Sequence, residues 1–329
     1  MMRSLRGPRR VFMGLTGILA AALALVMADS ARAQERPLQF IVGYPAGGGT
    51  DTLARVLADA IKRTTGRAAI VRNIPGAGGQ IAAVTLLREG GDGSVILAIN
   101  QPDLQLAVMR DTAALKASDF QTIMVDVRDP RVILVKRGSE ISSFAALVER
   151  ARARPGTVSV SVTAGSGQEL FAKWLFGRLG LDVTVAGYRG GAEASNALLT
   201  GDVQATIGDD FARLNMRDTT QALVVGAKVA SPRWPEAPTL SEALAPLGVV
   251  PPSPDFLSRY GVYVVPASFK ASQPPAYVEL QAMLLKARGA PEVLDYITRN
   301  KFEDLSIARP VEAMGPAIDA DLAEIARIR

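Results

Sequence analysis

Gly43-Tyr44-Pro45-Ala46-Gly47-Gly48-Gly49-Thr50-Asp51 is the stretch on which the fold turns. It lies between an apolar run, Leu38-Gln39-Phe40-Ile41-Val42, and a segment in which Leu53, Val56, Leu57, Ala60 and Ile61 recur at helical spacing. Strand, glycine-rich loop and helix in that order bring backbone N–H groups to a helix N-terminus, where the helix dipole adds to their pull on an anion. Thr50 or Asp51 is the expected N-cap. A second loop, Pro75-Gly76-Ala77-Gly78-Gly79-Gln80, follows Ala68-Ala69-Ile70-Val71 and repeats the arrangement. Loops of this kind also turn corners in any α/β protein, but two in close succession weigh towards a site for a carboxylate or phosphate. The second loop fits the G-x-G-x-x-A dinucleotide fingerprint in form only. The next strand runs into Asn100-Gln101-Pro102 and offers no Asp or Glu to hold a ribose.

The same unit recurs further along. Residues 132–135 read as a strand, 144–153 as a helix capped by Ser142 or Ser143, and 157–162 as a strand leading into Thr163-Ala164-Gly165-Ser166-Gly167-Gln168. The helix behind that third loop carries Leu170, Phe171, Trp174, Leu175 and Leu179 on one face, the spacing of a core stripe. A fourth unit joins Val183-Thr184-Val185 to Gly187-Tyr188-Arg189-Gly190-Gly191 and a helix closed by Gly201; residues 203–207 then run into Gly208-Asp209-Asp210. Arg189, between glycines at a strand end, can grip a carboxylate bidentately or stand solvated in its loop. Asp209 and Asp210 either meet a ligand amine or cap a helix. Proline-rich loops at 231–239 and 251–254 precede a strand at 260–265 and helices near 275–288, 292–299 and 311–328. Regular alternation of strand and helix predicts an α/β fold with parallel sheets.

Composition excludes much chemistry. The chain has no His and no Cys, so it builds no Ser-His-Asp or Cys-His nucleophile, no Cys/His zinc site and no disulfide. Carboxylate-held Mg²⁺ remains open in principle, but no acidic cluster advertises it. Arg3, Arg6, Arg9 and Arg10 precede an apolar run at 11–27, and Ala31-Arg32-Ala33 has the form of a signal-peptide cleavage site, so residues 1–33 are expected to be removed after export, by the general or the twin-arginine route. The formal net charge of +5 drops to +1 without that leader, because five arginines and one aspartate leave with it. A near-neutral chain with few aromatics lacks the electrostatic footprint of nucleic-acid binding.

The loops as a set, Ile41-Val42 through Asp51, Arg72-Asn73-Ile74-Pro75-Gly76-Ala77-Gly78-Gly79, Tyr188-Arg189-Gly190-Gly191-Ala192, Ser231-Pro232 with Pro235-Glu236-Ala237-Pro238-Thr239, and Tyr260-Gly261-Val262-Tyr263, resemble the substrate-binding proteins of tripartite tricarboxylate transporters, the Bug family of periplasmic receptors. The resemblance spans essentially the whole chain after the leader. It implies a two-lobed Venus-flytrap fold, like the type II periplasmic binding proteins, with a small carboxylate held between the lobes by backbone N–H groups and ordered water. The residues it marks are Tyr44, Pro45, Ala46, Gly47, Gly48, Gly49 and Asp51 in the first loop and Gly76, Ala77, Gly78 and Gly79 in the second. Gln101 follows, then Thr163, Gly165, Ser166, Gly167 and Gln168 in the third loop, and Tyr188, Arg189 and Asp209 beyond. The chain departs from the family where many relatives carry a His after the third loop; here Gln168-Glu169-Leu170 stands, and Gln168 favours an amide or hydroxyl beside the carboxylate.

The expectation is therefore an exported, non-enzymatic receptor that needs no cofactor or metal, is soluble and monomeric once processed, and hands a small organic carboxylate to a membrane permease. The alternatives are a ligand sensor docking on a histidine-kinase ectodomain and, more remotely, an exported enzyme acting on an anionic substrate. One lobe is expected over 34–136 and 260–329 and the other over 137–259, with crossovers near 132–135 and 260–265.

Overall fold

In the computed structural model, which describes residues 36–310 and Ala323, the first strand-loop-helix unit forms as its pattern demands. Strand β1 (Leu38–Val42) leads into helix α1 (Gly49–Thr65), which buries Leu53, Leu57, Ala60 and Ile61 and ends at Gly66 in the left-handed conformation. Then follow β2 (Ala69–Asn73), α2 (Gln80–Glu89), β3 (Val95–Gln101), α3 (Asp103–Arg110) and β4 (Phe120–Asp129). After Pro130 come β5 (Arg131–Lys136), α4 (Phe144–Ala153), β6 (Ser159–Thr163), α5 (Gly167–Arg178), β7 (Thr184–Tyr188), α6 (Gly191–Thr200), β8 (Ala205–Asp209) and β9 (Thr220–Val225). The chain closes with α7 (Leu240–Leu244), β10 (Arg259–Pro266), α8 (Ala267–Ser272), α9 (Pro274–Arg288), α10 (Pro291–Arg299) and β11 (Ser306–Arg309). The leader at 1–33 and the helix expected at 311–328 lie outside the described residues, Ala323 apart.

Two sheets organise these elements, one per lobe. The first has strand order β11-β4-β10-β3-β1-β2 and the second β7-β6-β8-β5-β9. Both are mixed rather than parallel. β1 runs parallel to β2 and β3, and β6 to β7 and β8, but β10 is antiparallel to β3 and β4, and β5 to β8 and β9. The physical reason is the passage of the chain between sheets. β4 and β5 are nearly one continuous extended run, interrupted at Pro130, whose missing N–H cannot extend a ladder. The second passage falls between β9 and β10. The segments 132–135 and 260–265, expected as crossovers, therefore sit inside the second and first sheets.

Packing follows the two-residue and 3.6-residue periods. In β5, Ile133 and Val135 enter one core with Phe171, Trp174 and Phe256, while Val132 and Leu134 enter another with Leu198 and Trp234. Trp174 is thus a core residue, edge-on to Phe256 at 4.9 Å. Tyr277, Leu280, Leu284, Val293 and Ile297 of α9 and α10 share the core of β1, β3 and β10. A buried ion pair pins α9 to that sheet: Arg288 Nε meets the Asp126 carboxylate on β4, and Nη2 donates to Ser306 Oγ at 2.8 Å. Arg288→Ala would strand a buried carboxylate and is expected to cost about 3–5 kcal/mol in denaturant unfolding, whereas replacing both partners, Asp126→Leu with Arg288→Met, should cost less than that single change.

Candidate functional site

The first loop is held from below by its own helix. Asp51, expected as an N-cap, lies inside the first turn and accepts from the Gly47 amide at 2.9 Å, from Arg55 Nε and Nη2 at 3.0 and 2.9 Å, and from Asn73 Nδ2 at 2.9 Å. Burial works to raise the Asp51 carboxyl, and those hydrogen bonds outweigh it and hold it below its ordinary value. Gly48 takes the N-cap position and supplies no side chain. Among the described residues, no acceptor meets the N–H groups of Gly49, Thr50 or Asp51, the first turn of α1. Anion-binding capacity at the start of α1 is left open.

Those amides border a cavity of about 40 Å³ between the sheets. The first lobe contributes Tyr44, Pro45, Gly48, Gly49, Thr50, Asn100, Asp103 and Arg259, and the second Arg131, Thr163, Ser166, Gln168, Gly191, Asp209, Ala212 and Arg213. An ionic chain runs through its wall. Arg259 Nη2 donates to Asp129 Oδ2 at 2.6 Å, Asp129 caps the turn at Phe211 and Ala212 through their amides at 2.9 and 3.2 Å, and Arg131 pairs with Asp209. Burial raises the Asp129 carboxyl to about 6 against the pull of Arg259, and burial likewise raises Asp103. The Gly167 amide, first in α5, donates to Asp103 Oδ1 at 2.7 Å, and Tyr44 Oη donates to Asp103 Oδ2 at 2.6 Å. One helix start in the cleft is thus filled by a carboxylate of the protein itself.

Arg213 stands apart from this network. It is 4% exposed, and its Nε and Nη2 have no partner. Burial pushes its guanidinium below its ordinary pKa despite Asp209 and Asp129 nearby. Glycines make its path: a Cβ at Gly208 would lie 2.5 Å from Arg213 Cγ, and one at Gly191 2.7 Å from its Nη1. A roomier depression of about 530 Å³, lined by Arg110, Glu169, Lys173 and Trp174, lies outside the third loop, and its charged groups reach solvent.

Residues 53–304 match the family model for the tripartite tricarboxylate transporter family receptor. The chain belongs to this family. It is 30% identical over 249 residues to protein BugT of Bordetella pertussis, covering 74% of each chain. MatC from Rhodopseudomonas palustris, solved with bound malate, superposes with a TM-score of 0.78 at 19% identity over 90% of this chain and 99% of its own. R. palustris Rpa4515, solved with adipate, gives 0.77 at 22% identity over 90% and 96%. At such identities the likeness is one of fold: two-lobed, as in periplasmic binding proteins.

In this receptor the residues marked from sequence divide into three groups. Tyr44, Pro45, Gly48, Gly49, Thr163, Ser166, Gln168 and Asp209 line the cavity. Gln168 is engaged at both ends of its amide, its Oε1 accepting from the Thr163 amide at 3.0 Å and its Nε2 donating to Asp209 at 3.1 Å. Ala46, Gly47, Asp51, Gly165 and Gly167 shape or brace the loops beside it. The second loop forms part of a lobe-to-lobe contact instead: a Cβ at Gly78, whose φ is +61°, would lie 2.5 Å from Gly165 O, and Arg110 donates to both Gly165 O and Ala77 O at 2.7 and 2.8 Å. Gly76, Gly79, Gln101 and Tyr188 are also off the cavity lining. Arg189 is 78% exposed in its side chain and pairs with Glu193, because the loop turns it to solvent. Asp103, Arg131, Arg213 and Arg259 are the charged cavity residues that sequence reasoning missed; for Arg131 and Arg259 a charged residue abutting an apolar strand is the one signal present.

Adding a methyl at Gly208 should force the Arg213 stem aside and cost about 1–3 kcal/mol, whereas Gly177→Ala, on the exposed face of α5 with nothing within 4 Å, should gain about 0.5–1 kcal/mol. Denaturant midpoints of the two variants test the contrast.

Proposed function

We propose that this chain is exported and works as a periplasmic receptor that closes over a small organic carboxylate and delivers it to the permease of a tripartite tricarboxylate-type transporter. The observation that carries the proposal is the cavity between the lobes, where the unsatisfied N–H groups of α1 face the unpaired Arg213 guanidinium. An anion satisfies both, and neither is satisfied by the protein. Membership of the receptor family, and fold relatives holding malate and adipate, support the same reading. The moving bodies are the two sheets, residues 38–129 with 259–309 against 131–225, turning about Pro130 and the second passage. Closure over ligand by a few hinge torsions is the behaviour such a layout permits.

A thermal-shift screen across mono-, di- and tricarboxylates tests this. Ligand bound only to the folded state adds about 2.7 kcal/mol at a hundred times its dissociation constant, and no stabilisation by any carboxylate would sink the proposal. Gly49→Val should abolish binding, since a Cβ there already comes within 2.9 Å of Ala212 Cβ across the cleft; Arg189→Ala should leave affinity unchanged.

Binding should also depend on pH. Asp129 lies behind the cavity wall and interacts with Arg259, Arg213, Asp209 and Asp210; an anion that shares Arg259 and Arg213 with it favours its neutral form still further, so binding takes up protons and affinity falls as pH rises through about 6. Titration calorimetry in buffers of different ionisation enthalpy reads the proton count directly; uptake of zero at pH 6 would contradict it.

A further inference from the structure

The unpaired nitrogens around the cavity carry more than a generic preference for anions. Arg131 is held by Asp209 through its Nη1, and Arg259 by Asp129 through its Nη2; the Nε of each has no hydrogen-bond partner, and Arg259 Nε comes no nearer to Asp209 Oδ2 than 3.5 Å. Arg213 has neither an ion pair nor a hydrogen bond among the described residues. Its Nε and Nη2 are buried without a partner and the residue lines the cavity, where a guanidinium offers a planar fork that matches the two oxygens of a carboxylate. A buried, unpaired cation is costly, and the carboxylates nearest to it are engaged elsewhere: Asp129 with Arg259 and two amides, Asp209 with Arg131 and Gln168. Arg213 follows Ala212, which approaches Gly49 at the head of α1. Two anion positions, one on each lobe, therefore lie across a narrow gap. The gap of about 40 Å³ holds roughly three waters, room for a compact acid and not for a long one.

We propose that Arg213 is the specificity-determining residue for a short dicarboxylate of two or three carbons, one carboxylate lying on the N–H groups of α1 and the other on the guanidinium of Arg213. This rests on the carboxylate reading of the cleft and goes beyond it by naming the ligand's length, its second charge and the residue that reads it.

Calorimetric titration of the purified chain with propanoate, malonate and adipate, on wild type, Arg213→Gln and Arg213→Lys, tests it. Malonate should bind wild type at least about tenfold tighter than propanoate, the worth of one charge-assisted hydrogen bond, and adipate should bind more weakly than malonate. Arg213→Gln should weaken malonate by far more than propanoate and so bring the ratio of the two affinities close to one; a structural role would weaken both alike and keep the ratio. Arg213→Lys, which keeps the charge without the fork, should retain a reduced malonate preference, and it serves if the glutamine variant fails to fold. Equal affinities for propanoate and malonate in wild type, an equal loss of both in the variants, or a preference for adipate would overturn the proposal and leave the carboxylate reading standing. Failure of all three acids to bind wild type would overturn the proposal, and the carboxylate reading falls with it only if the wider screen of mono-, di- and tricarboxylates is also silent.

Discussion

The cleft hangs on the ionic chain Asp129, Arg259, Asp209 and Arg131, set where the polypeptide passes from one sheet to the other. Asp129 ends β4, Pro130 breaks the ladder, and Arg131 begins β5; Arg259 begins β10 and Asp209 ends β8. Each arginine is paired in register with a carboxylate of the neighbouring strand, Arg131 opposite Asp209 and Arg259 opposite Asp129. Taking these charges out of water is expensive, and the arrangement holds because each is matched by its neighbour and by backbone amides. Losing one member would expose the others, so register, crossing point and cavity wall are fixed together. A second buried pair does the same at the rim, where Arg233 binds Asp210 at 2.6 Å and Asp304 at 2.7 Å, joining the second lobe to the segment before β11.

Such a frame explains why the cleft discriminates between its two helix starts. α5 arrives with Ser166 as side-chain cap on the Gln168 amide and Asp103 of the opposite lobe on the Gly167 amide, so its first two amides are taken. α1 arrives with a glycine cap, and the one acidic side chain of its first turn, Asp51, points back into the loop. The same motif, strand, glycine loop and helix, thus does different work in the two lobes. In the first it presents amides; in the second it receives a protein carboxylate and shuts the cleft.

The sequence made the repeating units legible because hydrophobic period and glycine position are local properties. The α1 face, the Trp174 stripe and the cap at Ser143 all follow from neighbours within a turn or two. Strand direction did not follow, since the antiparallel course of β5 and β10 is set by where the chain re-enters each sheet. The cavity was legible in half. Gly48, Gly49, Ser166 and Gln168 announce themselves in loops, whereas Arg213 sits in a short turn, Phe211-Ala212-Arg213-Leu214, that reads as ordinary surface. Its burial comes from Gly208 and Gly191, elements apart in the chain. Arg189 misled for the converse reason: glycine flanks suggested a clamp, but Glu193, four residues on, offers an exposed i, i+4 partner.

Closure and ligand binding can then be separated physically. Asp103 on Gly167, Arg110 on the second and third loops, and the Gly78–Gly165 contact join the lobes through the protein's own atoms, so the closed form owns bonds of its own. A ligand shifts the balance only by what it gains in one form over the other. The α1 amides and Arg213 belong to different lobes and face one another only across a shut cleft, so an anion that spans them gains its second contact in the closed form alone. A ligand reaching one lobe only would bind open and closed forms nearly alike and would leave their balance where the protein's own contacts set it.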